Sequence, residues 1–152
     1  MTPETSMINT APTRRAAILT AIRVLMAFDT VALLFAAALH VNGARIPLGS
    51  AVFVEPQIVP AAIVEGLAGL IFAVSAYAAI ALRPWAWWSA IVAHVFAILG
   101  FILGIVSTRN GTSPFNHVYH YVMLVIFVVG LIVLLLPIGR EALGRMSWMS
   151  RK

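Results

Sequence analysis

Four long apolar stretches, almost free of charged side chains, run through this chain, and they leave it few folds to choose from. The hydrocarbon core of a bilayer takes about 20 apolar residues per helix. The stretches at residues 16–41, 58–82, 85–107 and 117–136 each meet that length. They predict an all-α membrane protein, a four-transmembrane-helix antiparallel bundle. Hydrophobic residues make up 62% of the 152 positions and charged residues 10%. A soluble domain carries about a quarter charged residues, so this chain lacks the polar side chains to cover itself in water, and the lipid bilayer is its expected surrounding. With no cysteine, disulfides, thiolate metal sites, iron–sulfur clusters and thiol redox chemistry are excluded.

The basic residues set the expected orientation. Arg14, Arg15, Arg23, Arg83, Arg140, Arg145, Arg151 and Lys152 fall on one side of the four spans, and only Arg45 and Arg109 on the other. By the positive-inside rule both termini are expected in the cytoplasm, in a multi-pass protein of the cell membrane. Trp85, Trp87 and Trp88 follow Arg83-Pro84 at the same interface, where amphipathic rings favour the headgroup level. The net charge of +5 is thus accounted for by topology and does not imply nucleic acid as a partner. The chain divides into a polar tail (1–15), a transmembrane domain (16–138) and a basic cytoplasmic tail (139–152). Arg14-Arg15 ahead of an apolar run, with Ala36-Ala37-Ala38 near its end, also has the outline of a cleavable or twin-arginine export signal. The length of the run, and Arg23 and Asp29 within it, favour a retained helix.

Arg83-Pro84 is a very short turn, so the second and third spans are antiparallel neighbours. The loop at 42–57 holds Gly43, Pro47, Gly49 and Pro56 around the apolar run Ala51-Val52-Phe53-Val54, which can fold back onto the bundle. Asn110-Gly111-Thr112, in the loop at 108–116, fits a glycosylation acceptor pattern and reads as a turn. Membrane helices associate through close backbone approach. Gly100 and Gly104 in span three, and Gly66 and Gly69 with Ala62 and Ala73 in span two, are small-residue patterns suited to helix contacts, whereas Gly130 is isolated.

Ionisable side chains inside the spans carry the functional information. A charge in hydrocarbon costs several kcal/mol, so such residues face the bundle interior and have partners. Asp29 and His40 are eleven residues apart and return to one face of span one. Arg23 can snorkel to the interface or pair with an interior carboxylate. Glu65 in span two can reach a depth comparable to Asp29, and two carboxylates in low dielectric suit a shared proton, a relay or a cation site. His94 sits near mid-membrane in span three, with hydrogen bonding to Asp29 or Glu65, or haem ligation, as its options.

His117 and His120 share a face at the start of span four, flanked by Tyr119 and Tyr121. With His40 at the same level, and Glu55 and Tyr121 as further candidates, three imidazoles and a carboxylate would suit copper or zinc. Two of the histidines could alternatively hold a haem. No phosphate loop, activated serine motif, HExxH pair or arginine ladder is present. The expectation is a metal- or haem-binding subunit in redox or metal handling, with His40, His117 and His120 as ligands and Asp29, Glu65, His94 and Arg23 as intramembrane polar groups. The alternatives are a non-catalytic structural or assembly subunit, paired with other membrane subunits or with itself, and a small proton- or cation-coupled transporter.

Overall fold

The computed structural model describes residues 11–107 and 113–143. The expectations for Arg109, Asn110, Arg145, Arg151 and Lys152 lie outside the described residues. The elements are α1 (Ala11–Asn42), β1 (Ala44–Leu48), β2 (Ala51–Glu55), α2 (Val59–Ile80), α3 (Ala86–Ser107), α4 (Pro114–Leu135) and α5 (Pro137–Ala142). Four of these helices are long and apolar enough to cross a membrane. Their outward faces carry Val31, Phe35, Leu70, Leu99 and Val125, all exposed, a surface suited to lipid rather than water.

α1 begins at Ala11, not at residue 16, and so takes in part of the expected polar tail. Proline is tolerated in a first helical turn and arginine is a good helix former, so nothing between Pro12 and Arg15 interrupts the helix. The helix is closed by Gly43, whose φ of +64° is the left-handed conformation that ends helices with least strain. α2 ends differently. Leu82 takes a φ of +50°, and the Arg83 amide bonds back to the Ala78 carbonyl at 2.9 Å. That leaves carbonyls of the last turn without intrahelical donors, and Arg23 supplies them: its Nε and Nη2 donate to the Ala79 carbonyl at 3.2 and 3.1 Å, and Nη2 also to the Ile80 carbonyl at 3.3 Å. Arg23 therefore pairs with a helix C-terminus, where the macrodipole favours a cation, rather than with an interior carboxylate.

At the other end of α4, Pro137 cannot donate, and the Trp87 indole donates to the Leu134 carbonyl at 2.8 Å. Arg140 of α5 lies over the Trp87 ring. The loop at 42–57 is an antiparallel hairpin with Leu48 opposite Ala51, turning through Gly49 (φ +64°) and Ser50. It does fold back: Phe53 meets Phe115 of α4 edge-on at 4.9 Å.

The core is built from Met26 and Leu33 of α1, Phe72 and Ala76 of α2, Ala90, Ala97 and Phe101 of α3, and Met123, Phe127 and Leu134 of α4. The glycines admit side chains more than backbones. A Cβ on Gly69 would meet Leu34, one on Gly100 would meet Val64, and one on Gly104 would meet the His120 ring. Gly130, unremarked by pattern, is where His94 fits: a Cβ there would overlap His94 Nε2 and Cδ2. Successive helices pack on one another, but α1 and α4 share no close backbone interface, and a seam runs between them.

Candidate functional site

The C-terminus of α1, the end of β2 and the N-termini of α2 and α4 meet at the hairpin end of the bundle. Each delivers one polar side chain to the same place. His40 is 3% exposed and lies between two buried carboxylates. Its Nδ1 is 2.6 Å from Glu65 Oε2, and its Nε2 is 3.1 Å from Glu55 Oε1.

Asn116 completes the cluster. Its Nδ2 donates to Glu55 Oε1 at 2.7 Å and lies 3.1 Å from His40 Nε2. Ser113 works in two directions. Its Oγ caps α4 by accepting the Asn116 amide at 3.2 Å, and its hydroxyl donates to Glu55 Oε2 at 3.1 Å. One residue thus starts the helix that carries Asn116 and also orients Glu55.

The cluster borders three spaces. Glu55 is among the residues lining a groove of about 310 Å³ at the hairpin face, with Arg45 and Asn42. Glu65 lines a cavity of about 340 Å³ between α2 and α3, together with His120 and Ser107. His40, Glu55 and Asn116 also head a cavity of about 280 Å³ in the α1–α4 seam. Beside the cluster Glu65 Oε1 and Asn116 Oδ1 are buried, and the buried Tyr119 hydroxyl faces Glu65.

The sequence paired Glu65 with Asp29; the structure pairs it with His40. Asp29, eleven residues from His40 on α1, is about 16 Å further along the helix axis. It is fully buried, and neither carboxylate oxygen has a partner. Ser75 Oγ on α2, at a similar level, and His94 Nε2 on α3 are likewise buried and unpartnered. His94 bonds neither Asp29 nor Glu65: its Nδ1 donates to the Ala90 carbonyl at 2.7 Å, and its ring stands edge-on to Phe72 at 4.9 Å.

The three histidines expected to share a metal are turned to different neighbours. His40 is taken by the two carboxylates. His120 donates from Nδ1 to the Asn116 carbonyl at 2.8 Å and sets its ring against Phe101 at 5.0 Å. His117 is half-buried in the first turn of α4, and Tyr121 is exposed on the outer face. Among the described residues no group of three or more His, Cys, Asp or Glu side chains is placed to hold a metal ion.

Asn116 and Ser113 were missed in the sequence. A neutral amide and a hydroxyl at a helix start read as capping residues, and the only available signal was that Ser113-Pro114 opens a span whose first turn is polar.

Fold and site together describe a small helical protein with four candidate membrane spans and a buried imidazole–dicarboxylate cluster at one end. No family model, curated protein or solved structure matches the chain.

Proposed function

We propose that this chain is a multi-pass protein of the cell membrane, both termini cytoplasmic, that exchanges protons through the series Glu65–His40–Glu55. The observation that carries the reading is that each protonation state of His40 finds partners in one fixed geometry. As imidazolium, the ring donates from Nδ1 to Glu65 and from Nε2 to Glu55. When Nε2 gives its proton to Glu55, the bare nitrogen can accept from Asn116 Nδ2 at 3.1 Å. When Nδ1 gives its proton to Glu65, the Nε2–H bond to Glu55 remains. A proton entering at one carboxylate can therefore leave at the other, and a turn of the imidazole ring then restores the starting tautomer for the next transfer. The residues Glu55 and Glu65 lie beside different spaces, the hairpin groove and the α2–α3 cavity, which suits a relay more than a static ion pair. The excess of Arg on the Arg83 side of the spans supports the cytoplasmic assignment of that end.

The test is proton flux into liposomes holding a potassium diffusion potential, read with an internal pH dye. Wild-type protein is expected to conduct, and Glu65→Gln to lower the flux at least about ten-fold, in the range of general acid–base contributions. Equal flux in Glu65→Gln and wild type would remove Glu65 from the path and end the relay reading.

A metal- or haem-binding subunit is the second reading, and one observation favours it: His120 and Glu65 line the same cavity. Elemental analysis of the purified protein decides it. Stoichiometric iron, copper or zinc that disappears in His120→Ala would support a centre there, whereas its retention in that variant would remove His120 as a ligand.

A further inference from the structure

The β1–β2 hairpin is anchored by its backbone on one side of the bundle only. β1 follows α1 directly through Gly43, and the Ile58 amide just past β2 bonds the His40 carbonyl at 2.9 Å. Gln57 Nε2 donates to the Val41 carbonyl at 2.8 Å. Both ends of the hairpin are thus fixed to α1 and α2, helices that pack along each other. Among the described residues no backbone hydrogen bond joins the strands to α4, and side chains make that connection.

Phe53 and Glu55 stand two positions apart on β2 and so share one face of the strand. Phe53 meets Phe115 edge-on at 4.9 Å. Glu55 Oε2 accepts from the Ser113 hydroxyl at 3.1 Å, and Oε1 accepts from Asn116 Nδ2 at 2.7 Å. Val52 and Val54, on the opposite face, are exposed. The hairpin therefore lies as a cover on the start of α4, with its polar hold gathered on one buried carboxyl group.

That concentration makes the hold depend on charge. A hydrogen bond to an ionised acceptor is roughly twice as strong as a neutral one. The groups set around Glu55 are His40 of α1 with Glu65 of α2 behind it, Ser113 and Asn116 of α4, and Arg45 of β1, which lines the same groove. Transfer of the His40 Nε2 proton to Glu55 removes the negative charge from the acceptor. It also bares Nε2, which can then draw Asn116 Nδ2, 3.1 Å away, from Glu55 to itself.

We propose that the β1–β2 hairpin is a lid, hinged on α1 and α2 and latched to α4 by the Glu55 carboxylate, that lifts from α4 when Glu55 is neutralised. The lid stands on the bonds just described; its coupling to proton transfer rests on the relay reading. A proton passed to Glu55 loosens the latch and opens that carboxyl group to water at the hairpin face, where the proton can leave. Its departure restores the charge and closes the lid, the gating role that mobile loops serve in other proteins.

The test is the distance between paired spin labels, measured by double electron–electron resonance on the full-length protein in nanodiscs. The chain has no cysteine, so labels attach only where one is introduced. Val52→Cys with Val129→Cys reports the hairpin against α4, and Val31→Cys with Val129→Cys reports α1 against α4; all three positions are exposed. In Glu55→Gln the longer-distance population of the hairpin pair should rise at least about ten-fold, because both bonds to α4 lose their charge. Phe53→Ala removes the ring contact without touching the polar network and should raise it about three-fold or more. The α1–α4 pair should stay as in wild type in both variants. A hairpin pair unchanged in both variants would overturn the lid, and lengthening in Phe53→Ala alone would overturn the carboxylate latch. Equal lengthening of the α1–α4 pair would assign the change to the whole bundle and overturn the lid as well. Lid release in Glu55→Gln with wild-type flux in Glu65→Gln would keep the lid and end the relay. A fixed lid with flux lost in Glu65→Gln would do the reverse.

Discussion

Two polar regions lie inside this bundle, one whose members bond to one another and one whose members do not. At the hairpin end, His40, Glu55, Glu65, Asn116 and Ser113 form a network in which donors meet acceptors across four elements. About 16 Å along α1, Asp29, Ser75 and His94 each bury polar atoms that no protein group satisfies. Buried polar atoms without partners are uncommon in native proteins. The first region fixes geometry. The second leaves hydrogen-bonding capacity in an apolar interior, where Phe72 and Phe127 stack at 5.5 Å. The contrast teaches that burial alone does not identify a working group. The network binds its members to one another, so removing any one strands the rest, whereas the deep residues can be exchanged singly.

The largest expected effect tests that statement directly. His40→Leu leaves Glu55 and Glu65 buried and facing an apolar side chain. It should destabilise the protein by about 3–5 kcal/mol, the cost of breaking a buried charged set, read as a drop in unfolding temperature in detergent. A stability close to wild type would mean the network is not held together by His40.

Next in size is Gly130→Ala. The added methyl would overlap His94, and overpacking of this kind costs about 1–3 kcal/mol. Gly130→Ala combined with His94→Ala should recover most of the loss. Failure to recover would show that Gly130 answers to a different neighbour.

The comparison is sharpened by two double-mutant cycles on thermal stability. His40→Leu with Glu65→Gln should show a coupling of about 1–3 kcal/mol, as directly bonded groups do. Asp29→Asn with Ser75→Ala should be additive within about 0.5 kcal/mol. Strong coupling in the second cycle would join the deep residues into a network of their own.

Smallest of all is Asp29→Asn alone. It removes no hydrogen bond and preserves shape, so stability should change by less than about 1 kcal/mol. A large loss would reveal an ionised Asp29 with a partner that the static structure does not hold.

Much of the architecture was legible beforehand because the bilayer imposes it. Four spans of about 20 apolar residues and a break at Arg83-Pro84 follow from length and composition alone. Asp29, His40, Glu65 and His94 could be marked as interior because a charge is costly elsewhere. Their pairings could not be read. The hairpin between the first two spans reads as a polar loop with an apolar patch, yet its Glu55 is 4% exposed and bonds His40. Pairing within a helix follows from 3.6 residues per turn, but pairing between helices depends on their rotation and stagger. Gly130 and Gly104 leave room there for the His94 and His120 rings.

What the sequence determined by itself is therefore the solvent and the inventory: a chain too apolar for water, four helices of spanning length, and a short roster of polar groups obliged to face inward. Tertiary structure alone decided which of those groups meet. It placed His40 between two glutamates instead of beside His117 and His120, turned Arg23 onto the end of α2, and left α1 and α4 apart with a seam between them. The physical reason is range. Hydrophobic length acts residue by residue along one helix, whereas a hydrogen bond of about 3 Å requires several elements to arrive at one point in register.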